Sequence, residues 1–136
     1  MAYRTSKALH NAPAGFEAFE LGHGVRTPDA MLRHMTGLLI YILRVIEDRP
    51  DTPLDDLSWA QESQRFTSVL ATLDGILQRQ TNLTLGEAQH LLQGPLSDAM
   101  THAGQLALLR RAAEEALPPE DFTRADIHVQ HLHPES

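Results

Sequence analysis

The amino-acid sequence predicts an all-α protein: an up-down helical bundle of three long helices with short N-terminal and connecting helices. Apolar residues recur at the three-and-four spacing of a helix face over residues 31–46 and 66–77, and again after Pro95. Segments rich in proline, glycine or acidic residues separate these stretches. Helix-start patterns stand in front of them, at Thr27-Pro28-Asp29 and at Thr84 with Glu87. With 136 residues, 42% of them hydrophobic, the chain has apolar material for one compact core and little room for a second domain.

Residues 1–26 mix Gly, Pro, Asn and polar side chains and read as an irregular N-terminal arm. Its apolar patch at Phe16, Phe19 and Leu21 could form a short helix on the core. A helical bundle domain then spans residues 27–120. Its first long helix is expected over 28–46, with Thr27 as N-cap, Pro28 where a missing N–H is harmless, and Asp29 favoured by the helix dipole. Met31, Leu32, Met35, Leu38, Leu39, Ile42, Leu43, Val45 and Ile46 cover a wide sector of it. That width suits a central helix packed against two neighbours.

Residues 47–56 hold Pro50, Pro53 and several acidic residues, the composition of a loop. The second long helix is expected over 57–80, with Phe66, Val69, Leu70, Leu73, Ile76 and Leu77 as its buried stripe. Thr84 and Glu87 match the capping-box pattern and open a short helix through Leu91 and Leu92, which Gly94-Pro95 is expected to interrupt. Pro95 then starts the last long helix, ending near Leu117-Pro118-Pro119. Residues 121–136 form a C-terminal tail, with Ile127-His128-Val129 as a short extended stretch at most.

Composition excludes several classes of function. There is no cysteine, so disulfides, thiolate zinc sites and a cysteine nucleophile are all absent, which suits a reducing cytoplasm. Lys and Arg total 11 against 18 Asp and Glu, a formal charge of -7 that repels nucleic-acid phosphates. The basic residues do not cluster: Arg110-Arg111 is followed at once by Glu114 and Glu115. No nucleic acid is expected as a partner. The arm lacks the apolar run of a secretory signal, and the longest apolar stretch, residues 37–43, falls far short of the roughly 20 residues that span a bilayer. No membrane partner is expected either, and the cytoplasm is the expected location.

The chemistry-bearing tract is Pro95-Leu96-Ser97-Asp98-Ala99-Met100-Thr101-His102. Asp98 and His102 stand four residues apart, one helical turn, so a carboxylate and an imidazole share a face. With Asp98 as zero and roughly 100° per residue, His102 lies near 40° and Leu109 near 20°, so the pair sits at the edge of the apolar stripe. His34 falls beside Leu38 and Val45 at the corresponding edge of the central helix. His34, Asp98 and His102 are therefore the candidate metal ligands, and two imidazoles with one carboxylate would leave coordination positions open. The alternative reading makes both histidines hydrogen-bonded structural residues and Asp98 a partner of the helix dipole.

Gly94-Pro95-Leu96-Ser97-Asp98-Ala99-Met100-Thr101-His102-Ala103-Gly104-Gln105-Leu106, with Leu32-Arg33-His34-Met35, resembles the DinB-like family of four-helix-bundle metalloproteins over residues 27–117. In that family one His comes from the second helix and an H-x-x-x-H pair from the last, just before Gly-Gln. His34 and His102 match the first His and the second of the pair, while Asp98 stands where the pair's first His belongs. A carboxylate there shifts preference from Zn²⁺ or Ni²⁺ toward harder ions such as Mn²⁺ or Fe²⁺. The resemblance implies a bound divalent ion (Ni, Zn, Mn or Fe) and, as activity, metal-dependent transfer of a low-molecular-weight thiol to an electrophile, or a maleylpyruvate-type isomerisation. The family's first long helix has no counterpart in residues 1–26, so the chain should either dimerise or fold the Phe16, Phe19 and Leu21 arm across the gap. The homodimer is the favoured expectation.

Gln105 could orient a ligand, although solvation on the helix surface is its commoner role, and Tyr41 could donate a hydrogen bond into the site, although a buried ring with its hydroxyl at the rim is commoner. His128, His131 and His133 form a tail cluster of the kind that binds adventitious metal, His10 and His23 belong to the arm, and His90 has no evident partner. No nucleophile elbow, phosphate loop or dinucleotide fingerprint is present. Two functions stay open: a metal-dependent, thiol-using transferase, and a non-catalytic helical interaction or dimerisation module that keeps the fold.

Overall fold

The computed structural model describes residues 1–79, 82–129 and 132. Among these the protein is an all-α, up-down bundle of about four helices, without strands. Helix α1 is Ala2–Leu9, α2 is Pro28–Glu47, α3 is Trp59–Arg79, α4 is Leu85–Leu91 and α5 is Ser97–Ala112.

Helix α2 is the central element and packs against both α3 and α5. Pro28 is buried in its first turn, and the Met31 N–H donates to the Thr27 carbonyl at 2.8 Å, so the helix begins where its start pattern stands. The Thr27 hydroxyl, however, donates to the Asp29 carboxylate instead of capping a backbone N–H. Met31, Leu32, Met35, Leu39, Ile42 and Leu43 are buried against Phe66, Leu70, Leu73 and Ile76 of α3 and Ala103, Leu106 and Leu109 of α5. Each of the Leu, Ile, Met and Phe side chains among them contributes about 1.5–3 kcal/mol by leaving water. The buried sector is narrower than the sequence pattern suggests. Leu38, Val45 and His34 fall roughly 20–60° outside it on one edge, and Val45 is exposed.

The opposite edge of α2 meets α3 through a charged network. Glu62, only 1% exposed, accepts from Arg65 Nε at 3.2 Å and lies 3.6 Å from Arg33 Nε, with the Thr36 hydroxyl 3.4 Å away. Arg33 also pairs with the exposed Asp56 at 2.8 Å. A buried carboxylate is tolerated only when paired and hydrogen-bonded, and here two guanidinium groups surround it.

The arm departs from expectation. Its helix is α1, at Ala2–Leu9, and the Phe16–Ala18 segment is a single 3₁₀ turn. The α1 signal is weak because its buried face consists of Thr5 and Ala8, small side chains that do not register as an apolar stripe. Arg110 of α5, 5% exposed, donates to the carbonyls of Ala8 at 3.0 Å, His10 at 2.9 Å and Asn11 at 3.4 Å. The Ala8 carbonyl is one that the helix end leaves open, and those of His10 and Asn11 follow at the cap and just beyond it. Phe16 is buried and meets Trp59 edge-to-face at 6.0 Å, so the arm covers part of the core, although Leu21 stays exposed.

Gly94-Pro95 does not interrupt the last helical run. Leu92–Leu96 forms a π-helical turn that carries α4 directly into α5, and α5 ends at Ala112, short of the double proline. Pro95 has no N–H to donate, and its ring would collide with the carbonyl four residues back in an α-helix; the wider turn moves that carbonyl aside. The Ser97 hydroxyl donates to the Leu92 carbonyl at 2.6 Å and takes up one acceptor the turn would leave free. The Thr84–Glu87 capping box forms as expected, with the Thr84 N–H donating to the Glu87 carboxylate at 2.8 Å. Beyond α5 residues 113–129 are irregular, and His131 and His133 lie outside the described residues.

Candidate metal centre

Asp98 is the second residue of α5, separated from the π turn by Ser97, and His102 lies one turn further on. His34 reaches them from α2, which packs against α5. The three side chains come together, with one ligand atom from each lying within 4.8 Å of the others.

Asp98 is the hub. One carboxylate oxygen, Oδ1, is 3.1 Å from His102 Nδ1, and the other, Oδ2, is 3.4 Å from His34 Nε2. The imidazole rings of His34 and His102 meet at 64° with centroids 4.7 Å apart. Exposure is graded: the His102 side chain is 9% exposed, that of His34 30% and that of Asp98 44%. The cluster therefore forms one wall of the surface instead of being sealed in the core.

Burial pushes the His34 pKa below its usual 6.5; the charges of Arg26 and His102 act the same way, against the opposing hydrogen bond and charge of Asp98. The neutral imidazole, the form that ligates metal, is favoured at neutral pH. A zinc-sized ion takes its N and O ligands at about 2.0–2.2 Å, which places them roughly 3–3.5 Å from each other. The His34 Nε2–Asp98 Oδ2 separation already falls in that range, while His102, whose Nδ1 is turned to the main-chain oxygen and the other carboxylate oxygen of Asp98, would offer its Nε2. The donor set fits a divalent ion and leaves part of its shell to solvent or ligand.

Two shallow grooves flank the cluster. One, of about 680 Å³, is lined by Leu38, Tyr41, His90, Gly94, Asp98 and Thr101 among others; the second, of about 470 Å³, includes Arg33, His34, Tyr41 and Arg44. Tyr41 borders both and is 40% exposed. Gln105 is half-buried away from these linings and takes no part in the cluster. His10 and His23 are exposed in the arm, and His128 pairs with Asp126 at 2.7 Å, far along the chain from the cluster.

Neither His90, for which the sequence shows no evident partner, nor Arg26 is marked as a site residue by the sequence. His90 acquires significance only through the π turn, which sets the end of α4 beside Asp98 across a common groove. Arg26 lies just ahead of α2, near enough to act on His34, and nothing in its sequence surroundings marks it.

Comparison with models of known protein families, with curated proteins and with solved structures finds no match to this chain. No described helix is long and apolar enough to cross a membrane.

Proposed function

We propose that the protein is a DinB-like metal-binding bundle in which His34, Asp98 and His102 hold one divalent ion, and that it acts as a metal-dependent transferase on a low-molecular-weight thiol. The observation that carries the metal reading is the convergence of those three side chains from two helices. The support for the family is the order of the ligands: one His from the central helix, then a pair one turn apart on the last helix ahead of Gly104-Gln105.

Lewis acidity is what a divalent ion supplies at such a centre, lowering the pKa of a water or thiol. The chain's own residues do the rest. Asp98 neutralises part of the added charge and orients both imidazoles, while the grooves beside His34 and Asp98 give a small substrate room at the exposed side. Tyr41 offers a hydroxyl at their common border. A cytoplasmic location belongs to the same proposal, since thiol cofactors and a cysteine-free chain both suit a reducing compartment.

A second reading has an observation of its own. Without any ion the three groups already satisfy one another, so the cluster could serve as a polar clasp between α2 and α5 in a non-catalytic interaction module. Leu85, Leu92 and Leu108, each more than half exposed along the α4–α5 run, support a homodimer under either reading.

Elemental analysis of tag-free protein, after incubation with Mn²⁺, Fe²⁺, Ni²⁺ or Zn²⁺ and with His128, His131 and His133 replaced, separates the two. About one ion per chain, lost in His34→Ala and in His102→Ala, supports the metal centre and directs the search to thiol transfer. Absence of metal in the parent protein overturns it in favour of the clasp.

A further inference from the structure

A cavity of about 460 Å³ lies between α1 and α5 and is closed at one end by residues 117–122. It is separate from the candidate metal centre. Its α5 wall is made by Ala103, Gly104, Ala107 and Arg111, which lie roughly 100–200° around the helix from His102.

The lining divides into two parts. Ala103, Gly104 and Ala107 form a floor of small side chains, and Leu117 and Phe122 face it as apolar walls. Arg4, Lys7 and Arg111 supply three cationic groups around that space in a chain whose formal charge is -7. Glu120 is the carboxylate in the lining, and the Tyr3 hydroxyl donates to it. Arg4 lies over the Phe122 ring at 4.0 Å and Lys7 over the Tyr3 ring at 5.4 Å. Those ring contacts leave the N–H donors of both cations available, because a cation held on a π face is not thereby hydrogen-bonded. The lining carries an excess of two positive charges over negative ones, beside a pocket of the size that holds small molecules, roughly 300–1,000 Å³.

We propose that this cavity binds a small amphipathic anion, an aliphatic or aromatic body carrying a carboxylate or phosphate. The apolar body lies on the Ala103–Gly104–Ala107 floor under Phe122, where a larger side chain on α5 would exclude it. The anionic head sits among Arg4, Lys7 and Arg111, and the guanidinium forks offer paired N–H donors that match the oxygens of either head group. Because the cavity rests on the far side of α5 from Asp98 and His102, occupancy does not require metal.

Titration of the ¹⁵N-labelled full chain with dodecanoate and with dodecyl phosphate, followed by heteronuclear NMR, tests this, with a neutral dodecyl glucoside as the comparison. Saturable binding of at least one anion is expected, with shifts centred on the amides of Gly104 and Ala107, and the stronger of the two identifies the head group. Arg111→Glu should weaken it about tenfold or more. Ala107→Phe should abolish it while circular dichroism stays unchanged. Arg111 is exposed, so its replacement leaves the core intact and keeps the test valid even if the Ala107 variant misfolds. Equal binding of the glucoside, shifts elsewhere on the surface, an Arg111→Glu variant that binds as well as the parent, or no binding at all would each overturn the proposal.

Discussion

His102 is held by Asp98 at two points, its Nδ1 lying 2.8 Å from the main-chain oxygen of Asp98 and 3.1 Å from the carboxylate Oδ1. A carbonyl oxygen only accepts, so this arrangement places a proton on Nδ1 and leaves the lone pair on Nε2. The helix thereby sets the tautomer of its own candidate ligand, the task that carboxylates and carbonyls around metal-bound histidines commonly perform. The same Asp98 reaches His34 on α2 with its other oxygen, so one side chain joins both helices at the site.

Substitution of Asp98 should therefore change metal preference before it changes the fold. Asp98→Asn keeps the main-chain contact to His102 but removes the anionic ligand, and metal affinity should fall at least tenfold with helix content unchanged. Asp98→His creates two imidazoles one turn apart and should move the preference toward Ni²⁺ and Zn²⁺ over Mn²⁺. Competition between metals, read by a chromogenic chelator, gives the ratio for each variant. An unchanged ratio in Asp98→His would show that Asp98 is not a ligand.

The depressed pKa of His34 predicts a particular pH dependence. The folded-state pKa lies below the usual 6.5, so the unfolded chain binds more protons in the window between the two values, and stability rises with pH across it. The contribution is fully present above about 6.5 and is lost as pH falls through the lower, folded-state value. Metal-free parent protein should lose more thermal stability between pH 7.5 and pH 5 than His34→Gln does. Thermal unfolding of both proteins at the two pH values is the measurement, and identical losses would refute the assignment to His34.

The candidate site was more legible in the sequence than the elements that brace it. Helix α2 could be placed from Thr27-Pro28 and its apolar period, and the i, i+4 spacing of Asp98 and His102 was sufficient to put them on one face. Their meeting with His34 depends on how α2 and α5 pack, which is a tertiary relation that spacing can only suggest. A short N-terminal helix was expected but not at Ala2–Leu9, because the buried face of α1 is only Thr5 and Ala8, and one of its attachments comes from Arg110, about a hundred residues later in the chain. The continuous passage through Pro95 was missed for a different reason: proline is a reliable breaker of α geometry, and the π turn that accommodates it has no sequence signature. Glu62 reads as a solvated charge until Arg33 and Arg65 are seen around it.

Glu62 gives the third prediction. Glu62→Gln leaves the guanidinium groups of Arg33 and Arg65, 28% and 18% exposed, facing a neutral amide; because both keep access to water, the cost should fall below that of breaking a fully buried pair, at about 2–3 kcal/mol. Asp56, which pairs with the same Arg33 but is 91% exposed, should contribute less than about 1 kcal/mol when changed to Asn. Urea unfolding of the two variants should show that contrast. Because Arg33 adjoins His34 on α2, Glu62→Gln should also loosen the metal centre, detectable as faster loss of metal to a chelator.

Arg110 fixes the N-terminal arm, and its chemistry makes a narrow prediction. Its guanidinium donates to three carbonyls around the end of α1 and to the Glu115 carbonyl at 3.2 Å, and it lies 5.5 Å from the Phe16 ring centre. Burial lowers its pKa, with the charge of Glu115 acting in the opposite direction. A lysine ammonium cannot reproduce a planar fork that spans several acceptors, so Arg110→Lys should recover only part of what Arg110→Met loses. The loss for Arg110→Met should be about 2–4 kcal/mol, since it orphans buried carbonyls as well as removing donors. Hydrogen exchange should localise it: amides of Thr5 and Ala8 lose protection in both variants, while those of Leu39 and Ile42 in the centre of α2 keep theirs relative to the lowered global stability. Uniform loss across α1 and α2, with no local excess at α1, would show that Arg110 braces the whole bundle instead of latching the arm.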